Sequence, residues 1–144
     1  MLLESEVIDA VCRKLQAHGY SIRQKLKTTQ RGDDIIAVKD VPTPCELHIE
    51  AKGATSSRKN SQRYGIMFDS AQIRIQIAEA LYKTAEVLSR NDVNARLRVG
   101  IALPDNEGHR IKVKNIEPVV KQLGIAIFWV KENKEIEVVS DWNI

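Results

Sequence analysis

Two carboxylates and one amine fall at the ends of neighbouring apolar segments. GDDIIAVK opens on acids, and CELHIEAK closes on Glu50-Ala51-Lys52. If the second segment is a strand, its side chains alternate, so His48, Glu50 and Lys52 share a face at intervals of about 6–7 Å. If the first segment pairs with it as a ribbon, Asp34 lies beside Glu50 and Lys52. Two close carboxylates repel each other and favour a cation between them. Oxygen ligands select Mg2+ or Mn2+ rather than zinc. Such an ion polarises a phosphoryl oxygen and acidifies bound water, and a nearby lysine can orient that water or offset phosphate charge. The competing structural reading is an edge salt bridge between Glu50 and Lys52, with Asp34 capping a turn.

Several elements must position these groups. Val7, Val11 and Leu15 recur every four residues, Ile8 broadens the stripe, and Gly19 ends it, which predicts an amphipathic first helix. SIRQKLK reads as a strand, Thr28 to Gly32 as a turn, and Asp40 to Pro44, with two prolines, as a connection. With DDIIAVK and CELHIEAK, three strands form an antiparallel meander. GATSSRKNSQRYG reads as a polar loop. A long helix is expected from Phe68 to Ser89, with Ala71, Ile75, Ala78, Leu81, Tyr82, Ala85 and Leu88 on its apolar face. LRVGIAL, a short helix over Asn115 to Leu123, and IAIFWV form a parallel crossover, and KENKE turns the chain into IEVV. The expected fold is α/β: a central mixed sheet flanked by helices, in one domain spanning residues 1–144.

Gly32-Asp33-Asp34-Ile35 followed by Ile49-Glu50-Ala51-Lys52-Gly53 resembles the PD-(D/E)XK nuclease superfamily, the restriction-endonuclease-like fold. That family carries an acid on one strand and (D/E)-x-K on the next. Here Asp33 stands where the family name has proline. The likeness extends to the order of helix, strands, long helix and crossover. It implies a divalent-metal-dependent endonuclease hydrolysing DNA phosphodiester bonds, with Asp34, Glu50 and Lys52 catalytic and Mg2+ or Mn2+ held by Asp34 and Glu50. Relatives also place a glutamate near the start of the first helix. Glu4 falls within the Val7–Val11–Leu15 stripe and Glu6 well off it, so Glu4 is the candidate third metal contact, direct or through water. The alternative is that both acids simply favour the helix N-terminus. A non-catalytic nucleic-acid-binding or protein-interaction module of the same fold is the rival reading, and a homodimer or partner subunit fits cleavage of both strands.

From Gly53 to Phe68 there is no acid, while Arg58, Lys59 and Arg63 are basic. This loop leaves the catalytic strand directly and is a candidate grip on the DNA backbone. Gln72 and Arg74, with Gln76, occupy the first turns of the long helix and are further candidate contacts; solvated helix polars are the alternative. His48 reads as a core histidine, and Trp129 and Trp142 as packing residues. The chain has 144 residues, 43% hydrophobic and 28% charged, with a net charge of +3. This is a globular balance that permits nucleic-acid binding without requiring it. The acidic N-terminus lacks a secretory pattern, so a cytoplasmic protein is expected, with Cys12 and Cys45 as reduced thiols. His18, His48 and His109 show no zinc-ligand spacing.

Overall fold

The computed structural model describes residues 1–26, 32–56, 62, 65–90 and 96–144. In chain order they form α1 (Glu4–Ala17), β1 (Ser21–Lys25), β2 (Ile35–Lys39), β3 (Cys45–Ala51) and α2 (Ser70–Arg90). These are followed by β4 (Leu97–Pro104), α3 (Glu107–Lys114), α4 (Glu117–Gln122), β5 (Ile125–Val130) and β6 (Ile136–Val139). Of the turn predicted over Thr28 to Gly32, all but Gly32 lies outside the described residues, as do the basic residues Arg58, Lys59 and Arg63.

The six strands make one mixed sheet in the order β1-β2-β3-β4-β5-β6. The β1–β2, β2–β3 and β5–β6 pairs are antiparallel, and the β3–β4 and β4–β5 pairs parallel. The protein is therefore α/β, with the antiparallel first part and parallel second part expected from its short and long connections.

Strand alternation sends side chains to two cores. On one face, Val7, Ile8, Val11 and Leu15 of α1 pack over Leu47, Ile49, Ala51, Ala102, Ala126, Phe128 and Val130. On the other, Ile73, Ile77, Ala80 and Val87 of α2, with Val113 of α3 and Val120 of α4, cover Val99, Ile101, Leu103, Ile125, Ile127 and Trp129. With both faces covered, β5 is buried at all six positions, which is why IAIFWV reads as a continuous apolar run. Gly19, at φ +89°, ends α1 in the left-handed conformation that glycine adopts freely.

Two expectations need correction. Apolar residues recur along α2 in two stripes, and the buried one is Ile73, Ile77, Ala80 and Val87. The other, predicted to pack, does so only in part: Leu81 and Leu88 rest against the core, while Ile75 is 58% exposed and Tyr82 68%. Periodicity identifies stripes but does not choose between two. The second is an omission: the helix expected over Asn115 to Leu123 is α4 (Glu117–Gln122), but a further helix, α3, precedes it from Glu107. Only His109 and Val113 of α3 are buried, so it has no apolar stripe to reveal it. Its signal is Asn106, whose side chain accepts the His109 N–H.

No helix among the described residues is long and apolar enough to cross a membrane.

Candidate active site

The register of β2 on β3 pairs Ile35 with Ile49. Continued by one residue, it sets Asp34 opposite Glu50. Asp34 Oδ2 accepts the Ala51 N–H at 2.8 Å, which fixes its carboxylate against the end of β3. Beyond Ala51, the Lys52 N–H still donates to the Ala102 carbonyl at 3.0 Å. The backbone under Glu50 and Lys52 is thus tied on both sides, to β2 and to β4.

The start of α1 closes the site from the other face. Ala54 N–H donates to the Leu2 carbonyl at 2.7 Å. A Cβ on Gly53 would stand 2.5 Å from the Glu4 backbone nitrogen. Only a residue without a side chain lets the helix come this close to the strand end. The two acids of the first turn then divide their roles. Glu6 accepts the Leu3 N–H at 2.7 Å and pairs with Lys134 at 3.0 Å, so it caps the helix. Glu4 is half-buried and within electrostatic reach of Asp34, Lys52 and Lys83.

Glu50 is 3% exposed, and both its carboxylate oxygens are buried without a hydrogen-bond partner among the described residues. Leaving a buried carboxylate unsatisfied is costly, and the group responds by holding its proton. Burial first, then the neighbouring Asp34, pushes the Glu50 pKa up to about 8. Glu4 is pushed up to about 7, again by burial and then by Asp34. Burial also raises Asp34, against the opposing Ala51 hydrogen bond. The carboxyls of Asp34 and Glu50 resist carrying two charges without a cation between them.

Two lysines approach this acid pair. Lys52, directly after β3, has a side chain 13% exposed and donates to Glu79 Oε2 of α2 at 3.2 Å. Lys83, one turn further along α2, places Nζ 3.6 Å from Glu50 Oε2. Neither Glu79 nor Lys83 is picked out by the sequence pattern of the strands. The signal that marks them is helical: Gln72, Gln76, Glu79 and Lys83 fall within an arc of about 60° at 100° per residue. This polar stripe lies next to the buried face of α2. Within it, Gln76 Oε1 is buried without a hydrogen-bond partner among the described residues.

The other candidates are placed as follows. Gln72 works in the cap of α2: its Oε1 accepts the Asp69 N–H at 2.8 Å, and its own N–H donates to Asp69 Oδ1 at 2.9 Å. Arg74 is exposed and stands about half a turn around α2 from Lys83, so it does not join the acid pair. His48 Nδ1 pairs with Asp33 Oδ2 at 2.8 Å, and this bond raises the His48 pKa. Trp129 is buried, and Trp142 donates to the Gly124 carbonyl at 3.1 Å, both in packing roles. The loop after β3 is clipped at its base, where Phe68 N–H donates to the Ala54 carbonyl and Thr55 Oγ1 to the Ile66 carbonyl.

The fit of a divalent ion can be judged from these atoms. Two unpartnered buried oxygens on Glu50, facing a fixed Asp34, are the donors a hard cation takes. Among the described residues, no group of three or more His, Cys, Asp and Glu side chains stands in metal-binding geometry. Glu4 stands within electrostatic reach of the acid pair. The arrangement supplies two carboxylates and leaves further positions to water, which suits Mg2+. A scan against models of known protein families finds no match to this chain, and a search of curated proteins finds none either.

Proposed function

We propose that this protein is a divalent-metal-dependent nuclease of the PD-(D/E)XK type, with the restriction-endonuclease-like fold, hydrolysing DNA phosphodiester bonds. One observation supports the reading: among the described residues Glu50 is buried with neither carboxylate oxygen hydrogen-bonded, opposite Asp34 and two residues before Lys52. Its ion pair with Lys83, at 3.6 Å, leaves that hydrogen-bonding capacity unused.

Asp34 and Glu50 are the residues that would hold Mg2+ or Mn2+. The bound ion supplies Lewis-acid stabilisation of the phosphate and a more acidic water. Asp34 contributes a preset carboxylate, since its Oδ2 is already fixed by Ala51. Lys52 presents an ammonium at the same strand end, where it can orient the attacking water and offset charge developing on the phosphate. That water adds to phosphorus as the ester P–O bond breaks, and the departing alkoxide takes up a proton. Glu79 holds the Lys52 side chain toward α2 and so restricts its rotamers. Arg58, Lys59 and Arg63 fall in sequence between Thr55 and Ile66, which are hydrogen-bonded to each other. These basic residues are proposed to grip the nucleic-acid backbone in a salt-sensitive, sequence-independent way. Cleavage of both strands of a duplex would call for a second copy or a partner subunit.

The test is a cleavage panel over single-stranded, double-stranded and branched DNA, and RNA, with Mg2+ or Mn2+ against chelator. The reading expects metal-dependent scission of DNA that disappears in Asp34→Asn. Intact substrates throughout, beside an active control nuclease, would overturn it. DNA binding retained without scission would point instead to a non-catalytic nucleic-acid-binding module.

A further inference from the structure

Four charges meet between β3 and α2 in crossed pairs. The strand end supplies Glu50 and Lys52, two residues apart, and the helix supplies Glu79 and Lys83, four apart. Each lysine faces the other element's acid. The two pairs are not equivalent. Lys52 makes a hydrogen bond to Glu79 at 3.2 Å. Lys83 Nζ is 3.6 Å from Glu50 Oε2, beyond hydrogen-bond range, so charge alone holds it there. The ends of the second pair also differ: the Glu50 side chain is 4% exposed and that of Lys83 47%. One partner is fixed in the interior. The other sits on a flexible stem with water on one side.

We propose that Lys83 is an exchange cation: in the ion-free protein it is the cation that stands by Glu50 when that carboxyl ionises, and in the ion-loaded complex it moves to the non-bridging oxygens of the substrate phosphate. The proposal rests on the reading of Asp34 and Glu50 as ion ligands. A divalent ion brings twice the charge of an ammonium and bonds carboxylate oxygens directly, so it displaces a partner that makes no hydrogen bond. The displaced ammonium remains tethered to α2 beside the same carboxylates, where a bound phosphate presents negative charge. A lysine is suited to this move because it binds phosphate as a point charge and needs no fixed fork geometry.

An exchange cation and a fixed structural pair give opposite signatures when the charge is removed. Lys83→Met keeps most of the stem and, on an exposed helix surface, leaves the fold intact. Calorimetry of Mn2+ binding without nucleic acid is expected to show affinity about three- to tenfold tighter in Lys83→Met, because a competitor is gone. Lys83→Arg should stay near the wild-type value. With Ca2+ in place of Mg2+, binding of a short DNA duplex with single-stranded tails should weaken in Lys83→Met. Its logarithmic salt slope should fall by about one unit, the loss of one phosphate contact. Manganese affinity unchanged or weakened in Lys83→Met overturns the exchange, as does DNA binding with an unchanged salt slope. Wild-type protein that binds no Mn2+, or binds it equally well after Glu50→Gln, removes the ion site itself and this inference with it. Binding lost in Glu50→Gln but unaltered in Lys83→Met removes only the inference.

Discussion

Two charged clusters at the same end of the sheet, built from the same kinds of residue, behave in opposite ways. Around Arg110, every charge has its partner. The guanidinium donates to both oxygens of Asp105, at 2.8 and 2.9 Å, reaches Glu137 at 3.2 Å, and stacks 4.2 Å above the Trp129 ring. The Arg110 hydrogen bonds hold Asp105 below the usual carboxylate range, and Asp105 in turn raises Arg110. Around Glu50, three acids are all pushed upward by burial, and among the described residues neither carboxylate oxygen of Glu50, the most buried, has a well-formed hydrogen bond. Satisfied charges make a brace. Unsatisfied ones make a site, because their energy falls only when something binds.

The largest expected difference between the clusters is in activity. Lys52→Ala should lower DNA cleavage by about a thousandfold, the usual cost of removing a positioned electrostatic group. Arg110→Ala should leave cleavage within about twofold of wild type. Rates measured at saturating metal, with circular dichroism to confirm the fold, check both.

Stability against pH separates the clusters next. Glu50 and Glu4 have folded pKa values near 8 and 7, above the ordinary value of 4.5. A raised acid keeps its proton in the native state, so its stability contribution is full below the unfolded value and is lost as pH rises toward the folded one. His109 acts in the other direction. Burial depresses it to about 4, so the native state weakens as pH falls below 6.5. Between pH 6.5 and 8 the histidine is silent, and metal-free protein should lose about 2 kcal/mol to Glu50 alone. Urea titrations across that window should show the loss, and saturating Mg2+ should cancel it. Glu50→Gln should remove most of that loss, leaving the smaller slope of Glu4 and His48, whose pKa values are also raised, and should be more stable than wild type at pH 8. A profile with no slope in that window would contradict the assignment of Glu50 as a strained acid.

The smallest effect belongs to the brace. Arg110 is 38% exposed, so its ion pairs are screened, and Arg110→Ala should cost only about 1 kcal/mol, including the lost contact with Trp129. That cost should be the same at pH 6.5 and pH 8, and with or without Mg2+. A metal-dependent cost would mean the two clusters are coupled.

Much of this arrangement is readable in the sequence, for identifiable reasons. The period-2 pattern of CELHIEAK puts Glu50 and Lys52 on one face, and the short link from β2 brings Asp34 opposite them. The long apolar helix and the crossover set the parallel half of the sheet. The face of α2 is not readable that way, because Ala71-Ile75-Ala78-Tyr82 and Ile73-Ile77-Ala80-Val87 are both spaced for burial. Choosing the second stripe swings Gln76, Glu79 and Lys83 toward the strand end, so the same ambiguity hid two charged neighbours of the site. Glu4 is different again. Its side-chain position depends on Gly53 admitting the α1 backbone, a contact between residues far apart in the chain.

Whether Asp34 and Glu50 together bind a divalent cation can be seen in a crystal soaked in Mn2+. The account predicts an anomalous peak about 2 Å from an oxygen of each carboxylate, with Lys83 Nζ withdrawn from Glu50. A well-diffracting, manganese-soaked crystal with no peak between these side chains would contradict it.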